Sequence, residues 1–339
     1  MTCGSQIAPT VQVMEEKLCG QTRHGWKVLL ETTGGDPERA DIHAAWWNNK
    51  QGPNPVLPFR ASRLLTSQVA TRVPATSAAG RAVHQAADQM LSGLAGVFHL
   101  DPVPHLMRQY VQERDVVLRR TAENLSAAVR HLSSTDRDAF DELQSLLATL
   151  PEHELTKLVV ERSPLGDVML AVKERQRRRA VVIPARLMSD GMLRFLAIAT
   201  ALLSSGQPEV RERTSEMEAT GGRTLVIEEL ENGLHPTQAA RVLELLVREG
   251  RRREVQTLAT THSPALLSAL AGEDHDHVIV CDRDPATGTS RLRPLPELPG
   301  YAAAMATGSL GEAVARGLLQ RTVSTEQDHG DFERLLGLG

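Results

Sequence analysis

Apolar residues recur along this chain with different periods, and the change of period divides it. From about residue 85 to 160 the spacing is helical. Met90, Leu91, Leu94 and Val97 recur, then Met107, Tyr110, Val111, Val116, Val117 and Leu118, then Leu125, Val129 and Leu132. Asp101-Pro102 breaks the first run, and Phe140, Leu143, Leu146, Leu147 and Leu150 form a last stripe that Pro151 closes. Thr135, with Asp138 three residues on, resembles a capping box ahead of that stripe. Packed helices are predicted here. From Val181 the pattern alternates: a helix from Leu193 to Leu203, a strand at 224–227, a helix at 237–249, a strand at 255–260, a helix at 264–270 and a strand at 278–281. Such alternation predicts a parallel sheet covered by helices, with ligands at the carboxyl ends of its strands. Before residue 85 the pattern is weak. Val11 to Met14 and Trp26 to Leu30 read as short strands, and Gly34 to Pro58, rich in Gly, Pro, Asn and charge, reads as loops. Trp46 and Trp47 read as packing residues.

The totals narrow the picture. A chain of 339 residues holds one large domain or two ordinary ones. Apolar content is 41% and aromatics only 3%, so aliphatic side chains build the core. A net charge of −4 and a pI near 6.3 argue against coating nucleic acid by bulk charge. Locally, Lys173 to Arg179 reads as a solvated face, and Arg248 with Arg251 to Arg253 fits the negative pole of a helix end. Cys3, Cys19 and Cys281 match neither a zinc site nor a closed disulfide set, which points to a reducing, cytoplasmic location. No signal-peptide pattern opens the chain, and the longest apolar run, Phe195 to Leu203, is about half of the ~20 residues that span a bilayer. No membrane role is expected.

Three segments carry candidate chemistry. Leu225-Val226-Ile227 reads as a buried strand closed by two acids, Glu228 and Glu229, before a turn at Asn232-Gly233 and Pro236. Burying adjacent acids costs free energy unless charge compensates, and a divalent metal with a phosphate would do so. The plain alternative is a strand that ends at the surface. Met188-Ser189-Asp190-Gly191-Met192-Leu193-Arg194 opens a helix whose free N–H groups suit an anion, or is an ordinary cap. Thr260-Thr261-His262-Ser263-Pro264 ends a strand with an imidazole at its mouth, where a hydrogen-bonding histidine is the common case.

The order and spacing of these segments resemble the C-terminal half of ABC-type ATPases, in the AAA-family branch near the RecF, SMC and OLD proteins. Ser189 to Leu196, Ile227 to Pro236 and Thr260 to Pro264 carry the resemblance. It spans about residues 85 to 320, because Asp101-Pro102-Val103-Pro104 and Glu123-Asn124-Leu125 also look like this branch. It implies a P-loop NTPase α/β fold, with a parallel-rich sheet flanked by helices and an inserted α-helical lobe. The implied division is a remnant N-terminal strand and loop part at 1–84, the helical lobe at 85–180, the ATPase core at 181–325 and a tail at 326–339. It also implies roles with ATP and Mg²⁺. Ser189 and Gly191 would be the signature that grips the γ-phosphate of a nucleotide on the opposite subunit. Glu228 would hold Mg²⁺ through water, Glu229 would be the general base, and His262 the switch histidine. Asn232, Gly233, Leu234 and His235 would form the D-loop that crosses a dimer interface. Arg194 would support the signature helix or the interface. Two departures are mild: Leu230 stands where proline is usual, and Met188 where leucine is usual.

One departure is large. Family members begin with a strand, a G-x-x-x-x-G-K-[ST] loop and a helix. The nearest match, Gly20 to Val28, has Trp26 at the lysine position and reads as a hairpin turn. The first strand and the P-loop are therefore expected to be missing, which would leave sheet edges unpaired. The expected activity is ATP binding and hydrolysis by a dimer, with a P-loop supplied by another segment or a homologous subunit; alone the chain is expected to be inactive. The resemblance implies DNA repair or phage defence, with a nuclease or effector partner and DNA as a candidate substrate. The alternative is a catalytically incomplete regulatory subunit or truncated remnant that lends its signature in trans. A third reading, a metal-dependent hydrolase, rests on Glu273-Asp274-His275-Asp276-His277.

Overall fold

In a computed structural model the described residues are 12–23, 25–33, 40–150, 155–176, 179–204, 223–284 and 287–319. They fall into two compact units, Met1–Val97 with Pro208–Thr224, and Phe98–Gln207 with Leu225–Gly339. The expected tail at 326–339 and the polar loop after Ser204 lie outside the described residues.

The first unit is an antiparallel meander of β1 (Lys17–Thr22), β2 (Gly25–Thr32), β3 (Asp41–Trp46) and β4 (Val56–Arg60), with helices α1 (Val69–Arg72) and α2 (Ala78–Ala95). Leu18, Leu29, Leu30, Ile42, Phe59, Leu65 and Val83 build its core, with Trp46 buried and Trp47 packed against it. The glycine-containing segment at 20–27 is the expected hairpin, with Thr22 paired to Gly25. Strands β3 and β4 correct the expected loop at 34–58. Ile42, Ala44 and Trp46 face inward while Asp41 and His43 face out, and Pro58 is tolerated because β4 is an edge strand. Gln12 to Met14 form no strand. In α2 the buried face is Ala79, Gly80, Val83 and Ala87, whereas Met90 and Leu94 are exposed.

The second unit carries the candidate chemistry. Its three-stranded parallel sheet has the order β11-β10-β5, from β5 (Val97–Leu100), β10 (Arg223–Ile227) and β11 (Val255–Ala259). Between β5 and β10 the chain forms α3 (Pro104–Met107), β6 (Val111–Gln112), α4 (Leu125–Thr135), α5 (Arg137–Ala148), β7 (Leu155–Arg162), β8 (Asp167–Gln176), β9 (Arg179–Pro184) and α6 (Asp190–Leu203). Helix α7 (Pro236–Arg253) joins β10 to β11. Then follow α8 (Pro264–Ser268), the hairpin of β12 (Ile279–Arg283) and β13 (Ser290–Pro294), α9 (Tyr301–Met305) and α10 (Leu310–Ala315).

The expectation of helix through 85–180 is corrected at 97–100, 111–112, 155–176 and 179–184, which hold strands β5 to β9; β8 pairs antiparallel with β6, β7 and β9. Val168 to Val172 form one continuous buried run in β8, and such a run has no period that tells a central strand from a helix. The cap of α5 is Asp136, whose Oδ1 accepts from Ala139 N at 2.9 Å; Thr135 instead ends α4. Strand β12 also departs from expectation, because it pairs antiparallel with β13 in its own sheet. The core centres on α6, buried at every position from Gly191 to Leu203 except Arg194. Fully buried Asn124 fixes the loop beside it by donating to the carbonyls of Asp115 and Val117, both at 2.7 Å, and accepting from Arg119 N at 2.9 Å. No helix among the described residues is long and apolar enough to cross a membrane.

Candidate nucleotide site

The acid pair sits just past the end of β10. Leu225 and Ile227 are buried, but Glu228 and Glu229 are exposed, with the Glu228 side chain 59% accessible. The expected burial of two adjacent charges is therefore corrected, and no desolvation cost demands a cation. What the structure supplies instead is position. Glu228 Oε1 lies 3.0 Å from His99 Nε2 on β5, the next strand of the sheet. Glu229 has φ +47°, a left-handed conformation uncommon for a residue with a Cβ, and such strain marks positions held by their surroundings. It is held from two sides: its N–H donates to Thr260 Oγ1 at 2.9 Å, and its carbonyl accepts from Asn232 N at 2.8 Å.

The turn that follows joins the strand ends. Glu231 Oε1 accepts from His262 N at 2.7 Å. Burial pushes the Glu231 carboxyl up, but the Thr261 hydroxyl and the backbone N–H groups of Glu231 and His262 outweigh it and hold the group below the usual carboxylate range. The Thr261 hydroxyl also accepts from Ser263 N at 3.0 Å, so the tip is fixed while the His262 side chain stays exposed. Sequence reasoning passed over Glu231, the third acid of its run, because its partner is a backbone group 31 residues away.

The serine–glycine segment meets the same turn. Ser189 is the N-cap of α6, its Oγ accepting from Met192 N at 3.2 Å. Arg108 holds that end by donating to Met188 O at 2.8 Å and to Asp190 Oδ1 at 2.6 Å. Gly191 is buried, and a Cβ there would lie 2.4 Å from Gln238 Oε1 and 2.9 Å from Gly233 O. Arg194 covers the other side of the turn, its Cδ and Nε 3.4 Å from the place of a Cβ on Gly233. Gln238 is engaged from both sides, since its Oε1 also accepts from His235 N at 3.1 Å in the capping box of α7. Gly191→Ala is thus expected to displace Gln238 or the Gly233 carbonyl and to cost about 1–3 kcal/mol, read as a lowered Tm.

All three segments are therefore contiguous, tied through Glu229–Thr260, Glu231–His262 and Gly191–Gly233. Among the described residues no group of three His, Cys, Asp or Glu is placed to hold a metal. Glu228 and Glu229 are two exposed carboxylates at one strand end, the kind of donor set that Mg²⁺ takes together with water and a phosphate. The 273–277 run does not supply a cage. His275 is buried with Nδ1 2.7 Å from Tyr301 Oη, and Asp274 pairs with Arg251 at 3.5 Å.

The arginines ending α7 do more than meet a helix dipole. Arg248 Nε donates to Glu249 Oε1 at 2.9 Å, Arg253 Nε to Glu249 Oε2 at 3.2 Å, and Arg252 Nη1 to Glu142 Oε1 on α5 at 3.0 Å. Arg253 Nη1 also donates to Leu203 O, at the end of α6, at 3.2 Å.

The family model described as "AAA domain, putative AbiEii toxin, Type IV TA system" matches residues 95–268. No curated protein matches the chain. Three similar solved structures are SMC proteins. One is described under "ATP-driven dimerization and DNA stimulated activation of SMC ATPases", with 14% identity, 53% of this chain and 94% of that chain covered, and a TM-score of 0.33. The second is an SMC head bound to the C-winged helix domain of ScpA, with 12% identity, 75% and 73% covered, and a TM-score of 0.39. The third is an SMC head with an extended coiled coil bound to the C-terminal domain of ScpA, derived from Pyrococcus furiosus, with 11% identity, 83% and 74% covered, and a TM-score of 0.35. Scores this low leave the family model as the ground for assignment. Matched over more than half of its length, and with the strand-end geometry above lying in or beside the matched span, the chain belongs to this AAA-domain family.

Proposed function

We propose that the chain is the ATP-binding and ATP-hydrolysing head of an ABC- and SMC-like ATPase that works as a dimer. The observation that carries the reading is the junction of three segments in one place: the Glu229 amide on Thr260, the Glu231 carboxylate on the His262 amide, and Gly191 against the Gly233 carbonyl. When bound, ATP with Mg²⁺ supplies the phosphoanhydride bond that is broken and the charge neutralisation at it. Glu228 would hold the cation through water. Glu229, exposed and fixed by its turn, would accept a proton from the attacking water. His262 would donate toward the terminal phosphate, and the Ser189 end of α6 would face the nucleotide of an opposing subunit. Asn232 to His235 would line that interface.

The described residues contain no glycine-rich phosphate cradle, so the reading includes a P-loop from another segment or chain. We place the activity in DNA repair or phage defence, beside a nuclease or effector. A second reading has its own support: Ser189 already caps α6 and Gly191 is buried. In that case the chain is a regulatory subunit that lends α6 in trans and hydrolyses nothing at its own acids. Phosphate release from ATP, measured on the full chain with a P-loop-bearing ATPase partner, separates the two. The ATPase reading expects Glu229→Gln to abolish activity that depends on this chain's site. The regulatory reading expects Ser189→Arg to stop the partner while Glu229→Gln leaves it intact.

A further inference from the structure

Thr260 is the last residue of β11 and its extension that the strand ladder holds. Its N–H donates to Ile227 O and its carbonyl accepts from Leu230 N, both at 3.0 Å. Residues 261–263 lie past that point, and His262 sits in their middle with an exposed side chain. On the far side the chain is set again. Ser263 Oγ accepts from Leu266 N at 3.3 Å as the cap of α8, and a Cβ on Gly311 of α10 would lie only 1.9 Å from Pro264 O. Both ends of the tip are therefore held by the fold. Its middle is held from another segment by Glu231, whose Oε1 accepts from His262 N at 2.7 Å.

That bond is placed to set direction. A carboxylate accepting from a backbone N–H makes a charge-assisted bond, roughly twice as strong as a neutral one. Holding the amide of residue 262 fixes its Cα–Cβ direction, and so the aim of the imidazole, without touching the ring. Glu231 is itself firmly seated. The preceding Leu230 is buried, and the Glu231 carbonyl accepts from Leu234 N at 2.9 Å, so Glu231 opens the turn that runs to His235. One side chain thus links that turn to the histidine 31 residues on.

We infer that Glu231 is a positioning residue for His262: its carboxylate holds the tip so that the imidazole is aimed at the terminal phosphate. Because Glu231 opens the turn Asn232–His235, a shift of that turn against an opposing subunit reaches His262 through the same bond. A reacting group displaced by about 1 Å loses on the order of 10² in rate, so a contact that only sets direction has a large effect. The inference rests on the ATPase reading for what His262 faces; the tie between Glu231 and His262 does not.

The test uses the full chain with the P-loop-bearing polypeptide and reads two quantities, hydrogen exchange at the His262 amide and ATP turnover. Glu231→Ala should speed exchange at that amide about tenfold. It should also lower kcat by about 10- to 100-fold while KM for ATP stays within about twofold. Glu231→Gln keeps an acceptor oxygen at the same reach and should restore both quantities to within a few-fold of wild type. If Glu231→Ala fails to fold, Glu231→Asp serves, since it keeps the charge but is one methylene too short, and the same losses are expected. The deciding comparison is made on the residual turnover of His262→Ala. Adding Glu231→Ala there should cost nothing more, because a residue that acts through His262 has nothing left to aim. A further loss of about tenfold means that Glu231 supports the turn in general, and overturns the inference. So does unchanged exchange at the His262 amide, or a Glu231→Ala protein with wild-type kcat. No turnover in the wild type, with the His262 amide still released by Glu231→Ala, sinks the ATPase reading and leaves the tie standing.

Discussion

Glu229→Gln is expected to lower ATP turnover by about 10³-fold, the range for loss of a general base. The assay is phosphate release from the full chain with a P-loop-bearing polypeptide, at saturating ATP and Mg²⁺. The amide keeps the shape of the carboxylate and cannot take a proton. Both backbone contacts of residue 229, to Thr260 Oγ1 and from Asn232 N, are independent of its side chain. The fold is therefore expected to hold, with an unchanged Tm, and ATP should still bind. This separates lost chemistry from lost structure. Turnover that survives the substitution removes Glu229 from the mechanism and favours the regulatory reading.

The largest expected effect on stability lies away from the site, at Glu249. Its side chain is 0% exposed and takes hydrogen bonds from Arg248 and Arg253, while Arg252 and Arg253 reach on to Glu142. Glu249 is the buried member of this network, and breaking a buried charge pair costs about 3–5 kcal/mol. Glu249→Ala should therefore lower the Tm of the second unit by about 6–20 °C, taking ~2–4 °C per kcal/mol for a unit of this size. The pH dependence has a definite sign. Burial pushes the Glu249 carboxyl up, but the hydrogen bonds from Arg248 and Arg253, with Glu142 and the charge of Arg252, hold it below its ordinary value. A carboxyl with a depressed folded pKa contributes its stability above the unfolded value and loses it as pH falls through the folded one. The difference between wild type and Glu249→Gln should be constant near neutrality and shrink below about pH 4, as followed by urea unfolding at each pH. A difference that grows on acidification would contradict the assignment.

Much of the site was legible because its elements carry strong patterns. The apolar helix from residue 193, the strand before Glu228, the helix after Pro236 and the strand before Thr260 all stand where periodicity put them, within a few residues. Their loop ends are tied by contacts that periodicity cannot express. The Glu231 carboxylate on the His262 amide and Gly191 against Gly233 are tertiary events between segments 31 or more residues apart. The strands of the first unit were hidden by breakers. Gly, Pro and Asn between 34 and 58 outweighed an alternation that runs through only three inward residues of β3. Strand β8 was hidden for the opposite reason, since burial on both faces erases the period of two. In α2 the small residues Ala79, Gly80 and Ala87 pack inward while larger Met90 and Leu94 point out, so a hydrophobicity pattern weighted by size chose the wrong face.

The reading stands or falls on whether Glu228 lies beside a metal that arrives with a triphosphate. Mn²⁺ reports this by electron paramagnetic resonance, titrated into the full chain with the P-loop-bearing partner, with and without ATP. Mn²⁺ should be immobilised only when ATP is present, and Glu228→Gln should weaken that binding by about tenfold or more, the lower end of the range for a lost partner of a metal site. Mn²⁺ bound equally well without ATP, or unaffected by Glu228→Gln, would contradict it.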